Sequence, residues 1–292
     1  MTSRTVLVTG AGGKTGRAVI AALGRWGVTV RAFVRDADRV ADLVGTEHLD
    51  VEVVVGDQRR VDDLTGALDG VDAVYAIAPN VSTDEVEMGG AIVAACRNAG
   101  VNRLVFHSVI HPQLTAMPHH RDKRRAEEMV ITSGLDWTVL QPNAYLQNLA
   151  GYTDALRAGR YEVPYATDST LAMVDLDDVA EVAARLLVEG RGAHRGVHAT
   201  FELSGPAAVS PDDVAATAAE ILGRDVTATR QDPGTWAAGP GADLPDETRA
   251  RLLAMFRHYD RHGSPGDPTV LTALLDRQPR DLDNVLPDLL GT

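Results

Sequence analysis

A glycine-rich turn near the N-terminus has the residue types and the spacing to bind a pyrophosphate. An apolar run ends at Val8, a helical pattern begins at Arg17, and the turn between them reads Thr9-Gly10-Ala11-Gly12-Gly13-Lys14-Thr15-Gly16. Amides at the start of a helix attract an anion, because their N–H groups and the helix dipole both present positive charge. The G-x-x-G-x-x-G spacing departs from the G-x-G-x-x-G fingerprint, so the context of strand, turn and helix carries the prediction. We therefore predict that the pyrophosphate of a dinucleotide cofactor contacts Gly10, Gly12, Gly13, Lys14, Thr15 and Gly16. The alternative is an ordinary glycine-rich turn that binds no ligand.

The residues that follow the second predicted strand, at residues 29–34, indicate whether the cofactor is NADH or NADPH. A carboxylate at this strand end would hold the ribose 2′-hydroxyl of NADH, whereas an arginine suits the 2′-phosphate of NADPH. Arg35 stands at this position, and Lys14 and Arg39 are candidate helpers. We therefore predict NADP(H), with Arg35 as the main phosphate ligand. Asp36 would be the ribose ligand if the strand ended one residue later, and a solvated charge is the other interpretation of Arg35.

Two further strand ends are compatible with a cofactor groove. The third strand ends in Gly56-Asp57-Gln58, whose polar groups can hydrogen-bond an adenine edge, and the fourth ends in small and apolar residues up to Ala78 and Pro79. Asp57, Ala78 and Pro79 therefore join the predicted cofactor site, although either segment could equally be an ordinary turn.

Several later segments, together with the glycine turn and Arg35, resemble one family. They are Lys123 with Glu127 and residues 133–138, 141–148, 175–180, 203–206 and 274–280. Over nearly the whole chain the sequence resembles the NmrA-like group of atypical short-chain dehydrogenase/reductases, which includes quinone reductases, triphenylmethane-dye reductases and redox-sensing regulators. The resemblance implies a Rossmann-like fold, NADP(H) as cofactor and a small-molecule substrate.

The resemblance also implies three catalytic positions. In the wider superfamily a serine follows the fifth strand, and a Tyr-x-x-x-Lys pair on the next helix supplies the proton and holds the nicotinamide ribose. Lys123 matches the lysine, Ser108 the serine, and His119 stands where the tyrosine is expected. A charged His119 could donate a proton, but the Lys123 ammonium would disfavour that charge. For all three, an ordinary structural or surface role is the alternative.

The missing tyrosine bears on the chemistry. A ketone develops a localised alkoxide and needs a good acid, whereas a quinone or a cationic dye spreads or neutralises the charge that arrives with the hydride. We therefore expect NADPH-dependent hydride transfer to a small electron-poor acceptor. A redox sensor that binds NADP(H) without turnover is the second hypothesis. The resemblance further assigns Pro142 and Asn143 to the cofactor and Tyr145 to the wall of the substrate pocket, with core packing of Tyr145 as the alternative.

The elements that must position these residues alternate along the chain. Strands are predicted at residues 6–8, 29–34, 51–55, 73–77, 103–106 and 137–140, with helices at 17–26, 37–43, 61–68, 86–99 and 122–133. This alternation predicts a doubly wound parallel α/β sheet that binds ligands at its carboxyl edge. We expect residues 1–150 to form the NADP(H)-binding domain, with residues 173–196 packing back on it. Residues 151–292 are expected to form a smaller, mainly helical substrate-binding region.

The second half of the chain contains further helix signals. Helices are predicted from Asp177 or Asp178, where the acidic residues would cap the helix, and over residues 210–222, which begin with a Ser-Pro-Asp-Asp cap. A helix is also predicted over residues 248–262, and its apolar stripe suits the core or a subunit contact. Residues 231–245 are rich in Gly, Pro and Ala, and we expect a loop there that could close over the substrate.

Composition excludes several other classes of function. The net charge of −13 argues against a nucleic-acid partner, and the single cysteine, Cys96, lies in an apolar pattern typical of a buried thiol. The histidines lack metal-ligand spacing, and no G-x-S-x-G turn predicts a hydrolase. No apolar run is long enough to span a bilayer, so we expect a cytoplasmic protein. The sequence leaves the oligomeric state open, with a homodimer as one alternative.

Overall fold

The structure, a computed structural model, describes residues 4–46, 49–189 and 198–291. The chain divides into two compact units, of which the first comprises Met1–Gln113, His119–Gln141 and Val179–Phe201. The second comprises Leu114–Pro118, Pro142–Asp178 and Glu202–Thr292. The predicted boundary at residue 150 and the substrate-binding role of residues 151–292 stay predictions.

A seven-stranded sheet carries the predicted site. The strands within the described residues are β1 (Thr5–Val8), β2 (Thr29–Val34), β3 (Asp50–Val55), β4 (Ala73–Ala76), β5 (Arg103–His107), β6 (Asp136–Pro142), β7 (Arg160–Val163), β8 (Ala199–Leu203) and β9 (Thr227–Arg230). The large sheet has the order β3-β2-β1-β4-β5-β6-β8, and the neighbouring pairs from β3 to β6 are parallel. The predicted doubly wound, Rossmann-like fold is therefore confirmed.

Helices follow most of these strands, as right-handed crossovers require. They are α1 (Lys14–Gly24), α2 (Val61–Ala67), α3 (Glu85–Ala99), α4 (Pro118–Ile131), α5 (Thr153–Arg157), α6 (Leu176–Glu189), α7 (Pro211–Leu222), α8 (Pro233–Ala238), α9 (Asp246–His262), α10 (Thr269–Leu275) and α11 (Leu282–Leu290). Two 3₁₀ helices span Ala37–Leu43 and Leu146–Tyr152.

The central strands are apolar because helices cover both faces of a parallel sheet. Leu7, Leu104 and Phe106 are buried in one cluster with apolar residues of α2, α3 and α4. The chain order reverses at β1, which lies between β2 and β4. In such sheets the crevice at the carboxyl ends of the strands next to the reversal is where ligands bind. The glycine turn lies at this place, directly after β1.

The second unit has its own small sheet and core. Strand β7 pairs in parallel with β9, from Arg160 opposite Thr227 to Val163 opposite Arg230. Tyr161 and Val163 point into the core of this unit while their neighbours are exposed, which is the alternation of a half-buried strand. No strand is predicted from the sequence after residue 140, so β7 adds to the predicted fold.

The prediction of a loop over residues 231–245 is partly wrong, because α8 forms within it. Asp232 accepts a hydrogen bond from the Thr235 N–H at 2.9 Å, and Pro233 occupies the first helical position. Trp236 is buried and packs edge-on against Phe256 of α9, with ring centroids 4.7 Å apart. A cap, a proline and one buried aromatic side chain together stabilise a short helix despite the glycines around it.

Candidate active site at the carboxyl edge of the sheet

The glycine turn is built around close backbone contacts. Gly10 has a φ of +58°, and a Cβ there would lie 3.0 Å from the Ile77 side chain and its carbonyl oxygen. The Gly13 N–H donates to the Gly10 carbonyl at 2.9 Å. A Cβ on Gly16 would lie 2.4 Å from the same carbonyl oxygen, so only glycine allows α1 to begin this close to the turn.

The start of α1 is suited to an anionic ligand. Its N-cap is Gly13, and within the part of the chain that the structure describes no side chain caps this helix. The amides of the first helical turn point along the axis toward the N-terminus, where the helix dipole is positive. A Cβ on Gly12 would lie 2.8 Å from the Arg39 Cβ, so the side chain of Arg39 begins directly against the turn. Lys14 is exposed as the first residue of α1, and Thr15 is buried behind it. This arrangement fits a pyrophosphate bound by backbone amides.

Thr9 and Gln58 join the strand ends beneath the turn. The Thr9 hydroxyl donates to the Ile77 carbonyl at 3.0 Å and accepts from the Ile77 N–H at 2.9 Å, which fixes the end of β1 to the end of β4. With its amide oriented to satisfy both neighbours, Gln58 accepts from the Gly10 N–H at 3.0 Å and donates to the Ile77 carbonyl at 3.1 Å. A cavity of about 10 Å³ lies beside Thr9, Gln58 and Ala78. Pro79 follows Ala78 and is exposed.

The end of β2 places a cation, not a carboxylate, first. β2 ends at Val34, so Arg35 is the first residue beyond the strand, and its side chain is exposed. Asp36 instead caps the following 3₁₀ helix, because its carboxylate accepts the Asp38 N–H at 3.1 Å. This geometry favours the prediction of Arg35 as the residue that meets the ribose or its phosphate. The alternative in which Asp36 holds the ribose requires β2 to end one residue later than it does, and the phosphate contact of Arg35 stays a prediction.

Asp57 is engaged by a neighbouring arginine. Arg59 Nη2 lies 2.5 Å from Asp57 Oδ2, and this contact, the Arg59 N–H and a smaller contribution from the charge of Arg35 lower the pKa of Asp57 to about 2. Asp57 is therefore a carboxylate at neutral pH, beside the groove predicted for the adenosine. Its role in binding the cofactor stays a prediction.

Lys123 lies in a polar cluster at the carboxyl end of β5. Its ammonium donates to the His107 carbonyl at 2.8 Å and forms an ion pair with Glu85 Oε1 of α3 at 2.8 Å. The side chain of Lys123 is 13% exposed and that of Glu85 4%. The ammonium also lies 5.4 Å from the centre of the Phe106 ring. The interpretation of Lys123 as a solvated surface charge is therefore wrong, while its contact with the cofactor stays a prediction.

Ser108 belongs to the same cluster. It is buried directly after β5, and its N–H donates to the Leu140 carbonyl of β6 at 2.7 Å. Glu127 lies one helical turn after Lys123, and Gln141 Nε2 lies 2.9 and 3.0 Å from its two carboxylate oxygens. Burial raises the pKa of Glu127, against smaller lowering effects from Ser108, Gln141 and Lys123. The sequence analysis named Glu127 in a motif but gave it no role.

The histidines of this region pack in a chain of contacts. His119 is half-buried on α4 and packs edge-on against His120, with ring centroids 4.6 Å apart. His120 Nδ1 lies 3.1 Å from the His111 carbonyl oxygen. His119 precedes Lys123 by one helical turn, which is the spacing of the superfamily pair. Its role as proton donor stays a prediction.

A buried pair on β4 and β5 was missed by the sequence analysis. The Tyr75 hydroxyl lies 2.5 Å from His107 Nδ1, and both side chains are buried. Burial lowers the pKa of His107 well below 6.5, with a further contribution from the charge of Lys123. Tyr75 lies inside a predicted strand and His107 directly follows one, and no local pattern in the sequence indicates that their side chains meet.

The predicted site residues of the second unit have identifiable structural contacts. The amide of Asn143 is buried, and it donates to the Ser264 carbonyl at 3.1 Å and accepts from the Ser264 hydroxyl at 2.8 Å. Pro142 ends β6. Tyr145 is half-buried, pairs with Val174 through a backbone bridge and precedes a 3₁₀ helix. The ligand contacts predicted for Pro142, Asn143 and Tyr145 stay predictions.

Other chemistry finds little support in the described residues. No group of three or more His, Cys, Asp or Glu side chains in these ranges could hold a metal ion. Cys96 is buried, which raises its pKa to about 12, so the prediction of a buried thiol is confirmed. No helix in residues 4–46, 49–189 and 198–291 is long and apolar enough to cross a membrane.

The parallel sheet, its reversal at β1 and the glycine turn against α1 define a Rossmann-like dinucleotide-binding protein. The chain belongs to the NmrA-like family, whose pattern it matches over residues 2–286. An NAD(P)H azoreductase from Xenophilus azovorans is 31% identical over 227 residues, which cover 76% of this chain and 75% of that protein. A (4-alkanoyl-5-oxo-2,5-dihydrofuran-3-yl)methyl phosphate reductase from Streptomyces griseus is 32% identical over 221 residues, 75% of this chain and 74% of that protein. In fold, the chain is similar to an NADPH-dependent quinone oxidoreductase from Escherichia coli solved with NADPH, with a TM-score of 0.83, 24% identity and coverage of 97% and 99% of the two chains.

Proposed function

We propose that this protein is an NADPH-dependent oxidoreductase that reduces small, electron-poor molecules such as quinones. The observation that carries the proposal is the uncapped N-terminus of α1 against a turn in which Gly10 and Gly16 leave no room for a Cβ, with the side chain of Arg39 beginning against the turn and Arg35 directly after β2. A turn of this kind binds a pyrophosphate, and the adjacent cations suit the extra phosphate of NADPH. The azoreductase and the phosphate reductase described above, which are 31% and 32% identical over about three quarters of this chain, are both named as reductases, which favours turnover over sensing.

The residues of the first unit divide the work of binding. Amides of the glycine turn hold the pyrophosphate, and Arg35, with Arg39 and Lys14, neutralises the 2′-phosphate. Lys123 donates a hydrogen bond to the nicotinamide ribose. The bound nicotinamide supplies the hydride, and the protein supplies position and electrostatics.

His119 stands at the position where the superfamily has a tyrosine, so no tyrosine there supplies the proton that completes the reduction. A quinone delocalises the negative charge that arrives with the hydride, so it depends less on a strong acid than a simple ketone does. His119 and the hydroxyl of Ser108 are the protein groups proposed to orient or protonate the acceptor oxygen, and Tyr145 is proposed to contact the acceptor. These assignments favour conjugated acceptors over simple ketones.

The proposal includes no nucleic-acid partner, because an overall charge of −13 opposes binding to a long polyanion such as DNA or RNA. A reducing, cytoplasmic location suits a chain with one buried cysteine. Association as a homodimer is a further proposal, and light scattering on the eluted protein tests it.

The test is NADPH oxidation with a panel of quinones, azo dyes, cationic dyes and enones. We expect turnover with at least one conjugated acceptor and none with simple ketones. Nucleotide binding without turnover across the panel would favour the sensor. Titration that detects no complex with either NADPH or NADH would remove both functions.

A further inference from the structure

Lys123 is fixed by a buried carboxylate that the sequence analysis gave no role. Glu85 is the first residue of α3 and is 3% exposed, and its Oε1 lies 2.8 Å from the Lys123 ammonium of α4. The His107 carbonyl accepts a hydrogen bond from the same ammonium at 2.8 Å. The long and otherwise flexible side chain of Lys123 is thus held between two oxygens from two different elements.

Glu85 also lies beside the groove proposed for the cofactor. It lines the small cavity next to Thr9, Gln58 and Ala78, beneath the glycine turn. Its position at the start of α3 favours a negative charge, because the helix dipole is positive there. Glu87, two residues further along the same helix, is also acidic and is exposed. An acidic residue can therefore interact with the dipole of α3 without being buried, so the dipole does not by itself explain the burial of Glu85.

A buried ion pair is a weak source of stability, because removing two charges from water offsets most of their attraction. Such pairs are better suited to fixing one arrangement of a side chain. An ammonium is a compact charge on a flexible stem, and ordering it costs conformational entropy when a ligand binds. A carboxylate that orders Lys123 beforehand removes that cost from the binding step.

We propose that Glu85 is a positioning residue for the reductase: it holds the Lys123 ammonium where the nicotinamide ribose of NADPH binds. This inference rests on the proposed function, since it requires Lys123 to contact the nucleotide. A purely structural ion pair between α3 and α4 is the competing explanation. The two differ in one respect, because a structural pair affects folding but has no specific coupling to the nucleotide.

The experiment is a double-mutant cycle on the NADPH dissociation constant, measured by calorimetry on the full chain without an acceptor. Glu85→Gln keeps the size of the side chain and removes its charge, and Lys123→Met keeps the length of the lysine stem. We expect each variant to raise the dissociation constant roughly tenfold, the scale of one charge-assisted hydrogen bond. The double variant is expected to bind no more weakly than Lys123→Met alone, because Glu85 acts through Lys123. Glu87→Gln, with the same change of charge on the same helix, is the matched control and should bind as the original protein does.

The outcomes separate the inference from the function on which it rests. If Lys123→Met binds NADPH normally, the proposed role of Lys123 fails. If Lys123→Met weakens binding but Glu85→Gln does not, or if Glu85→Gln has its full effect in the Lys123→Met background, the positioning role fails. Thermal unfolding of each variant checks that it is folded. Should Glu85→Gln not fold, Glu85→Asp, which keeps the charge and shortens the reach, takes its place, with the same expected rise and the same overturning results.

Discussion

At the scale of single residues, the choice of coenzyme depends on which side chain follows β2. Arg35 is exposed directly after the strand, while Asp36 is used to cap the next 3₁₀ helix. The guanidinium is always charged and matches phosphate geometry, whereas the carboxylate of Asp36 is already accepting a backbone N–H. Arg35 is therefore the partner that we propose for the 2′-phosphate of NADPH, a group that NADH lacks.

Replacing Arg35 by Asp should weaken the binding of NADPH far more than the binding of NADH. We expect the dissociation constant of NADPH to rise by about tenfold or more, because one charge-assisted contact is lost and a repulsive charge is introduced. Fluorescence titration with both coenzymes measures the ratio. Arg25→Asp, an equally exposed charge reversal just after α1, is the control. Equal weakening of both coenzymes would place the phosphate elsewhere.

Glu127 should make the stability of the protein depend on pH. Its folded pKa is raised above 4.5 by burial, so the folded state binds the proton more tightly than the unfolded chain does. Stability therefore falls as pH rises from about 4.5 through the raised pKa, and it is unaffected by this group at lower pH. Glu127→Gln should flatten this part of the profile in urea unfolding, while Glu128→Gln, an exposed neighbour, should leave it unchanged. A profile that is the same with and without Glu127 would contradict the assignment.

At the scale of elements, the junction of β1 and α1 depends on the absence of one Cβ. A Cβ on Gly16 would lie 2.4 Å from the Gly10 carbonyl oxygen, 2.8 Å from the Ala11 Cα and 2.9 Å from the Gly10 carbonyl carbon. These are backbone atoms, so the helix itself would have to move. The same movement would displace the amides that are proposed to hold the pyrophosphate.

Gly16→Ala should therefore lower the free energy of unfolding by roughly 1–3 kcal/mol through overpacking, and it should also weaken the binding of NADPH. The matched control is Gly66→Ala in α2, where a Cβ would meet nothing within 4 Å. That variant is expected to gain up to about 1 kcal/mol, because alanine is the better helix former. Urea unfolding and NADPH titration of both variants check the contrast. A Gly16→Ala protein that is as stable as Gly66→Ala and binds NADPH normally would show that the turn tolerates the side chain.

What the sequence predicts at this scale follows from local chemistry. β2 is predicted with its observed bounds, because Thr29, Val30, Phe33 and Val34 favour a strand and stand between Gly27 and a charged segment. The burial of Cys96 follows from its apolar helical neighbours in the same way. The ion pair of Glu85 and Lys123 joins two helices that β5 separates along the chain, and no local pattern in the sequence indicates which acid will meet which base. Strand β7 is not predicted from the sequence for a similar reason, since its partner β9 lies far along the chain.

At the scale of the whole molecule, a cluster of charges in the second unit ties the C-terminal segment to the residues that lead into α6. Asp178 was expected to cap this helix, but its two oxygens accept from Arg277 Nη2 and from the Arg280 N–H, both at 2.7 Å. Asp175, directly before the helix, accepts the Asp177 N–H at 3.2 Å and pairs with Arg280 Nη1 at 3.3 Å. Both Asp175 and Asp178 are fully buried. The acidic start of α6 is therefore structural, as expected, but through contacts that are distant in sequence.

Removing the charge of Arg280 should destabilise the second unit, because it leaves Asp175 buried with fewer partners. The side chain of Arg280 is 34% exposed, so solvent screens part of the interaction, and we expect a loss of about 1–3 kcal/mol for Arg280→Gln. Hydrogen exchange should show faster opening of α11, since Arg280 also contacts the Asn284 carbonyl and the Asp288 carboxylate of that helix. Arg261→Gln, which changes an exposed arginine at the end of α9, is the control. If the two variants unfold at the same urea concentration and α11 exchanges at its original rate, the C-terminal segment is held by its apolar face alone.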